Sequence, residues 1–70
     1  MALAMLRLGE TATISDFIGK EEIKKHLQSL GFIKGESVSV IGENPCGLIL
    51  LIKGVRIALN RGLASKIIVE

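Results

Sequence analysis

The stretch Leu27-Gln28-Ser29-Leu30-Gly31-Phe32-Ile33-Lys34-Gly35-Glu36-Ser37-Val38-Ser39-Val40 decides how this chain folds. It joins a helical period to a strand period across two glycines. Ile23, Leu27 and Leu30 recur at i, i+4 and i+7 and so share one helical face. Gly31 stands where a helix C-terminus takes a left-handed residue, and Phe32 is placed to fold back over the last turn. From Glu36 onward the apolar period drops to two, with Val38 and Val40 inward and Ser37 and Ser39 outward. A helix that yields this abruptly to a half-buried strand describes a small α+β unit. No catalytic constellation lies within it.

Upstream, the helical pattern extends from about Lys20 to Leu30. Glu21 and Glu22 fall in its first turn, where the helix dipole favours negative charge, and Glu21 can pair with Lys25 at i,i+4. Thr11 to Ile18 alternates as a first strand, with Ala12, Ile14 and Ile18 inward and Thr11, Thr13 and Ser15 outward. Asp16 shares the parity of Ile14, which predicts a bulge or a strand end there. Leu6-Arg7-Leu8-Gly9-Glu10 reads as an opening segment ending in a turn, with Leu6 and Leu8 pinned to the core.

Downstream, a second strand covers Glu36 to Glu43, and Asn44-Pro45-Cys46-Gly47 is the strongest turn signal of the chain. Leu48 to Ile52 is a third strand, apolar on both faces. Lys53-Gly54 is a tight hairpin turn, and Val55 to Leu59 returns as the fourth strand. Asn60 can cap one helical turn through Ala64, and Lys66 to Val69 closes the fold as a last strand. The expected architecture is mainly β: a small, strongly bent barrel of about five short strands with one helix after the first.

The two-residue turn also sets a register. It pairs Ile52 with Val55, Leu51 with Arg56, Leu50 with Ile57, Ile49 with Ala58, and Leu48 with Leu59. Cross-strand partners share a face, so Leu48, Leu50, Ile52, Val55, Ile57 and Leu59 are expected inside. Ile49, Leu51, Arg56 and Ala58 are left on the outer face. An exposed apolar strip on a small protein marks an interaction site, unless Met1 to Leu6 folds over it. Both outcomes are compatible with the sequence.

Seventy residues with an apolar fraction of 49% and a mean hydropathy of +0.51 suit one domain over 1–70. A single cysteine forms no internal disulfide, and no Cys/His cluster suggests structural zinc. Burial of branched aliphatics must carry the fold, with help from self-association an option. The net charge is +2, from nine basic and seven acidic residues mixed along the chain. Lys24 and Lys25, the adjacent basic pair, follow Glu21 and Glu22 and read as a solvated helix face. Phe17 and Phe32 are the only aromatics, so a base-stacking platform is missing and no nucleic-acid partner is expected. No run approaches the ~20 apolar residues that cross a bilayer, and Met1 to Leu6 lacks the basic residue of a signal peptide. A cytoplasmic protein without direct membrane insertion is expected.

Candidate chemistry is sparse. His26 lies at the edge of the helix's apolar stripe, and a metal site needs three or four convergent ligands. Cys46 follows Pro45 in a turn, with no base or cation in the pattern to activate it. Asp16, Glu21 and Glu22 could gather oxygen ligands, but acids at a helix start are explained by the dipole. The glycines form neither a GxGxxG nor a P-loop spacing. No catalytic residue, cofactor or tight metal site is expected.

Five pieces of the chain together resemble the FeoA family of ferrous iron transport. They are Leu6-x-x-Gly9-Glu10, Leu27-x-x-Leu30-Gly31-Phe32-x-x-Gly35, Pro45, Gly54-x-x-Ile57-Ala58-Leu59 and Ala64-x-x-Ile67-x-Val69. The resemblance spans nearly the whole chain in order. It implies an SH3-like barrel and a cytoplasmic accessory protein that works with FeoB, a membrane permease with a GTP-binding domain. The same module also closes iron-dependent repressors, which makes a detached metal-sensing module one alternative. A nucleic-acid- or ribosome-binding SH3-like barrel is the other. The helix is less basic than the arginine-rich helix common in the family, and Cys46 stands where an aliphatic residue is more usual. The expected partner surface is the strip of Ile49, Leu51, Ala58 and Arg56; the second choice is the helix face of Lys24, Lys25 and Gln28.

Overall fold

Two crossed backbone hydrogen bonds end helix α1 (Glu21–Ser29) and start the change of period. The structure, a computed structural model, describes residues 1–70. Phe32 N–H donates to the Leu27 carbonyl at 3.1 Å and Gly31 N–H to that of Gln28 at 3.0 Å. This is the Schellman arrangement, and it needs the left-handed φ of 107° that Gly31 supplies. Phe32 is thereby driven into the core, where it is fully buried beside Leu27. Leu30, on the same helical face, is half-buried and packs against the core from its rim.

Strands β1 (Thr11–Phe17), β2 (Ser37–Asn44), β3 (Gly47–Ile52), β4 (Val55–Asn60) and β5 (Ile67–Val69) form one antiparallel sheet in the order β4-β3-β2-β1-β5. Strand β1 serves two neighbours in succession. Thr11 to Thr13 pair with Ser39 to Ser37 of β2, and Ile14 to Phe17 pair with Val69 to Ile67 of β5. The register skips Ser15, which forms the bulge that Asp16 implied. Such a kink lets one strand turn from one side of the barrel to the other.

That bulge also corrects an expectation. Inserting one residue exchanges the two faces, so Phe17 is buried and Ile18, expected inward, is 52% exposed. Ile18 is instead held by its backbone, its N–H donating to the Lys66 carbonyl at 2.7 Å. A second register shift lies between Val40 and Gly42, where Ile41 stands exposed.

The β3–β4 hairpin has the register that its turn predicts, residue for residue from Leu48↔Leu59 to Ile52↔Val55. Lys53 and Gly54 both take positive φ, at 52° and 76°, as a primed two-residue turn demands. Val55, expected inside, is 55% exposed: it begins an edge strand directly after the turn, beyond the rim of the core. Ile57 is half-buried, and Leu59 is inside.

The sheet is closed at one edge by the N-terminus. Ala2 bridges Ile68, Val69 N–H donates to the Met1 carbonyl at 2.8 Å, and the Met1 amine donates to the Val69 carbonyl at 3.1 Å. A 3₁₀ turn over Leu3–Met5 follows, and it carries Leu3 into full burial with Leu6 beside it. Leu8, expected to pin this segment, is 60% exposed, and Leu3 takes its place. Helix α2 (Arg61–Ala64) is capped by Asn60, whose Oδ1 accepts from Leu63 N–H at 2.7 Å. The core is made of aliphatics and the two phenylalanines, with no buried polar side chain. The charge pair on α1 is Glu21–Lys24 at 3.8 Å rather than Glu21–Lys25, the i+3 position being the nearer one here.

Candidate functional site

On the outer face of β2, β3 and β4 the register lays side chains in two rows. One row runs Gly42, Ile49, Ala58, and the other runs Thr11, Ser39, Leu51, Arg56. Ile49 and Leu51 are half-buried, and Ala58 and Arg56 are exposed. Their partial cover comes from the face itself. Ile49 lies across Gly42, so close that a Cβ at Gly42 would meet its Cδ1 at 3.3 Å. Thr11 Oγ1 and Ser39 Oγ share a hydrogen bond of 2.8 Å at the polar end of the second row. Arg56 joins none of the ion pairs of the molecule. The result is a short apolar ridge between a hydroxyl pair and an unpaired guanidinium.

The N-terminus does not cover this ridge, because Met1 to Leu6 packs along β5 and α2. Thr11 and Ser39 read as outward in the sequence, but nothing there sets them, or Gly42, beside the hairpin ridge. The β2–β3 pairing brings them there, and it depends on the irregularity at Ile41, for which the sequence carries no signal.

The second face is built on α1. Lys25 and Gln28 are exposed, while Lys24 is half-buried against the helix and paired with Glu21. His26 is exposed near the end of α1, and its carbonyl accepts from the Ser29 hydroxyl at 2.6 Å. Cys46 is exposed at the far end of the sheet, in a turn tied down by Asn44: both Cys46 N–H and Gly47 N–H donate to Asn44 Oδ1 at 2.9 Å. Asp16 meets Lys34 at 3.4 Å and accepts from Phe17 N–H at 2.8 Å. That backbone donor first, and the Lys34 ammonium second, hold the Asp16 carboxyl below its ordinary value of 3.8. Glu21 and Glu22 point to solvent. Nowhere do three or more His, Cys, Asp or Glu side chains gather as a metal site requires.

An open depression of about 130 Å³ lies beneath the Asn44–Gly47 turn, lined by Cys46, Leu48, Ala58 and Asn60 among others. It is well below the ~300–1,000 Å³ of a small-molecule site. The geometry offers surfaces rather than a pocket.

The fold itself defines a class: an SH3-like barrel, mainly β, with a helix inserted after its first strand. The chain belongs to the FeoA domain family, whose pattern it matches over residues 1–70. It is similar to the crystal structure of an iron uptake regulatory protein, FeoA, with a TM-score of 0.91 and 27% identity, covering 99% of this chain and 93% of that one. It is also similar to the zinc complex of FeoA from Stenotrophomonas maltophilia, an SH3 domain protein: TM-score 0.80, 30% identity, 100% and 89% covered. A manganese-dependent transcriptional repressor in complex with manganese shares the fold alone, at 19% identity and a TM-score of 0.92, with 35% of its chain covered. No curated protein sequence matches the chain.

Membership in this family ties the chain to ferrous iron transport. No helix is long and apolar enough to cross a membrane.

Proposed function

We propose that this FeoA-family chain is a cytoplasmic accessory protein of ferrous iron transport, one that binds a FeoB-type membrane transporter and modulates it by protein–protein contact. The family match along the whole chain supports the transport role. The single observation that carries the binding role is the uncovered ridge of Ile49 and Leu51, with Ala58 and Arg56 beside it. Branched apolar side chains with a hydroxyl pair at one end and a free guanidinium beside them suit a contact that excludes water at its centre and tolerates it at the rim. The role needs no catalytic residue of its own and no resident metal: iron is the transporter's cargo.

Calorimetry against the cytoplasmic GTP-binding region of a FeoB-type transporter tests the reading. Saturable binding of the intact protein is the expected result. Salt-dependent retention on nucleic acid without such binding would favour the ribosome- or nucleic-acid-binding alternative. Stoichiometric ferrous binding under anaerobic conditions, lost in His26→Ala or Cys46→Ser, would favour a metal-sensing module.

A further inference from the structure

The two edges of the sheet are treated differently. The β5 edge is closed by Met1 and Ala2 through backbone bonds. The β4 edge has nothing against it. Ile52↔Val55 flanks the two-residue turn and is therefore a hydrogen-bonded pair, so alternation gives Val55, Ile57 and Leu59 to β3. Arg56 and Ala58 then turn both N–H and C=O to the open side, and Asn60 turns its N–H there. None of the turn, loop or cap hydrogen bonds of the backbone reaches them.

Natural edge strands are usually blunted by a proline, a bulge, charged side chains (lysine above all) or a covering segment. Strand β4 has no proline, no bulge, no lysine and no covering segment. Its six residues, Val55–Asn60, pair with β3 without a register shift, and its one charge is Arg56. Such an edge is a template for another strand, and its sequence favours its own copy.

We infer that β4 is a self-association edge, on which a second copy of this chain adds its own β4 antiparallel about a two-fold axis through Ala58. In that register Ala58 exchanges both backbone bonds with Ala58 of the second copy, and Arg56 lies opposite its Asn60. Every outward-facing residue then finds a partner, and the one charge meets a neutral amide. A register centred on Arg56 would set two guanidiniums face to face, which is destabilising. One centred on Ile57 would leave Asn60 unpaired. The Ala58 register also carries the row Gly42, Ile49, Ala58 across the axis into the same row of the second copy. Two short ridges become one continuous apolar band on a single face, an isologous contact.

The inference does not depend on the transporter, because its test contains none. Paired residues of a hydrogen-bonded antiparallel pair lie ~5.5 Å apart at Cα, within disulfide reach, whereas Arg56 of the two copies would stand several residues apart along the strands. In a Cys46→Ser background, Ala58→Cys should therefore cross-link to a dimer under mild oxidation, and Arg56→Cys should not. Sedimentation equilibrium of the unmodified protein should show a concentration-dependent dimer. Ala58→Pro removes an N–H that β3 does not use, which an edge strand tolerates, and should weaken self-association about tenfold. A protein that stays monomeric at every concentration overturns the inference. So does equal cross-linking at positions 56 and 58. Should Ala58→Pro fail to fold, the two cysteine variants still decide.

Discussion

The β2–β3–β4 meander and the arm-plus-β1–β5 half of the barrel bury equally apolar side chains, yet they are held in different ways. In the meander each strand meets its neighbour across a two-residue turn, which fixes the whole register of β3–β4 and that of β2–β3 as far as the irregularity at Ile41. In the other half, partners lie far apart in sequence: β1 with β5, and Ala2 with Ile68. Nothing local dictates how those meet. Their alignment is settled by which side chains fill the core once the chain has closed.

If both halves belong to one cooperative core, truncation in either should cost the same. Leu50 in the meander and Leu3 in the arm are each fully buried. Leu50→Ala and Leu3→Ala should each lose ~2–5 kcal/mol in urea denaturation, a large share of the stability of a domain this small. A loss under ~1 kcal/mol for Leu3→Ala alone would show the arm to be an appendage rather than core.

The next effect sharpens the local side of the comparison. Gly47 sits directly against the β4 backbone, where a Cβ would collide with the Leu59 carbonyl and the Asn60 Cα. Relief would require moving a strand, so Gly47→Ala should cost ~1–3 kcal/mol or more in the same assay. A neutral outcome would mean that the meander is looser than its register suggests.

The same division explains what the sequence made legible. The helix-to-strand switch at Gly31, the Lys53-Gly54 register and the Asn60 cap are written in neighbouring residues, and all three appear in the structure. Ile18, Val55 and Leu8 were misplaced because burial there depends on distant events. A bulge at Ser15 inverts Ile18, the barrel rim ends before Val55, and Leu3 occupies the place read for Leu8. Of the candidate face, Ile49, Leu51, Arg56 and Ala58 could be read from one hairpin. Thr11, Ser39 and Gly42 could not, because they arrive through pairings among three strands.

Those misplaced residues give the next, smaller prediction. Ile18→Thr and Val55→Thr should each change stability by no more than ~0.5 kcal/mol, as exposed positions do. A loss comparable to that of Leu50→Ala would return them to the core.

The smallest effect is a pH dependence in the long-range half. Asp16 has its pKa depressed below 3.8 by the Phe17 amide and Lys34. A depressed carboxyl contributes stability above its unfolded pKa and loses it as pH falls through the folded one. Melting temperature followed downward from neutral pH to below 3.8 should therefore drop less steeply for Asp16→Asn than for the unmodified protein. Parallel curves would show that the Asp16–Lys34 contact is too well solvated to matter.

The central claim, that the ridge on the meander is the transporter contact, is tested most directly by one binding measurement. Affinity for the cytoplasmic region of a FeoB-type transporter should be compared between the unmodified protein and Leu51→Lys. The account predicts an intact fold, because Leu51 lies outside the core, and binding weaker by ~1–3 kcal/mol if Leu51 is a central anchor. Unchanged stability with unchanged affinity would contradict it and move the contact to the Lys24, Lys25 and Gln28 face of α1.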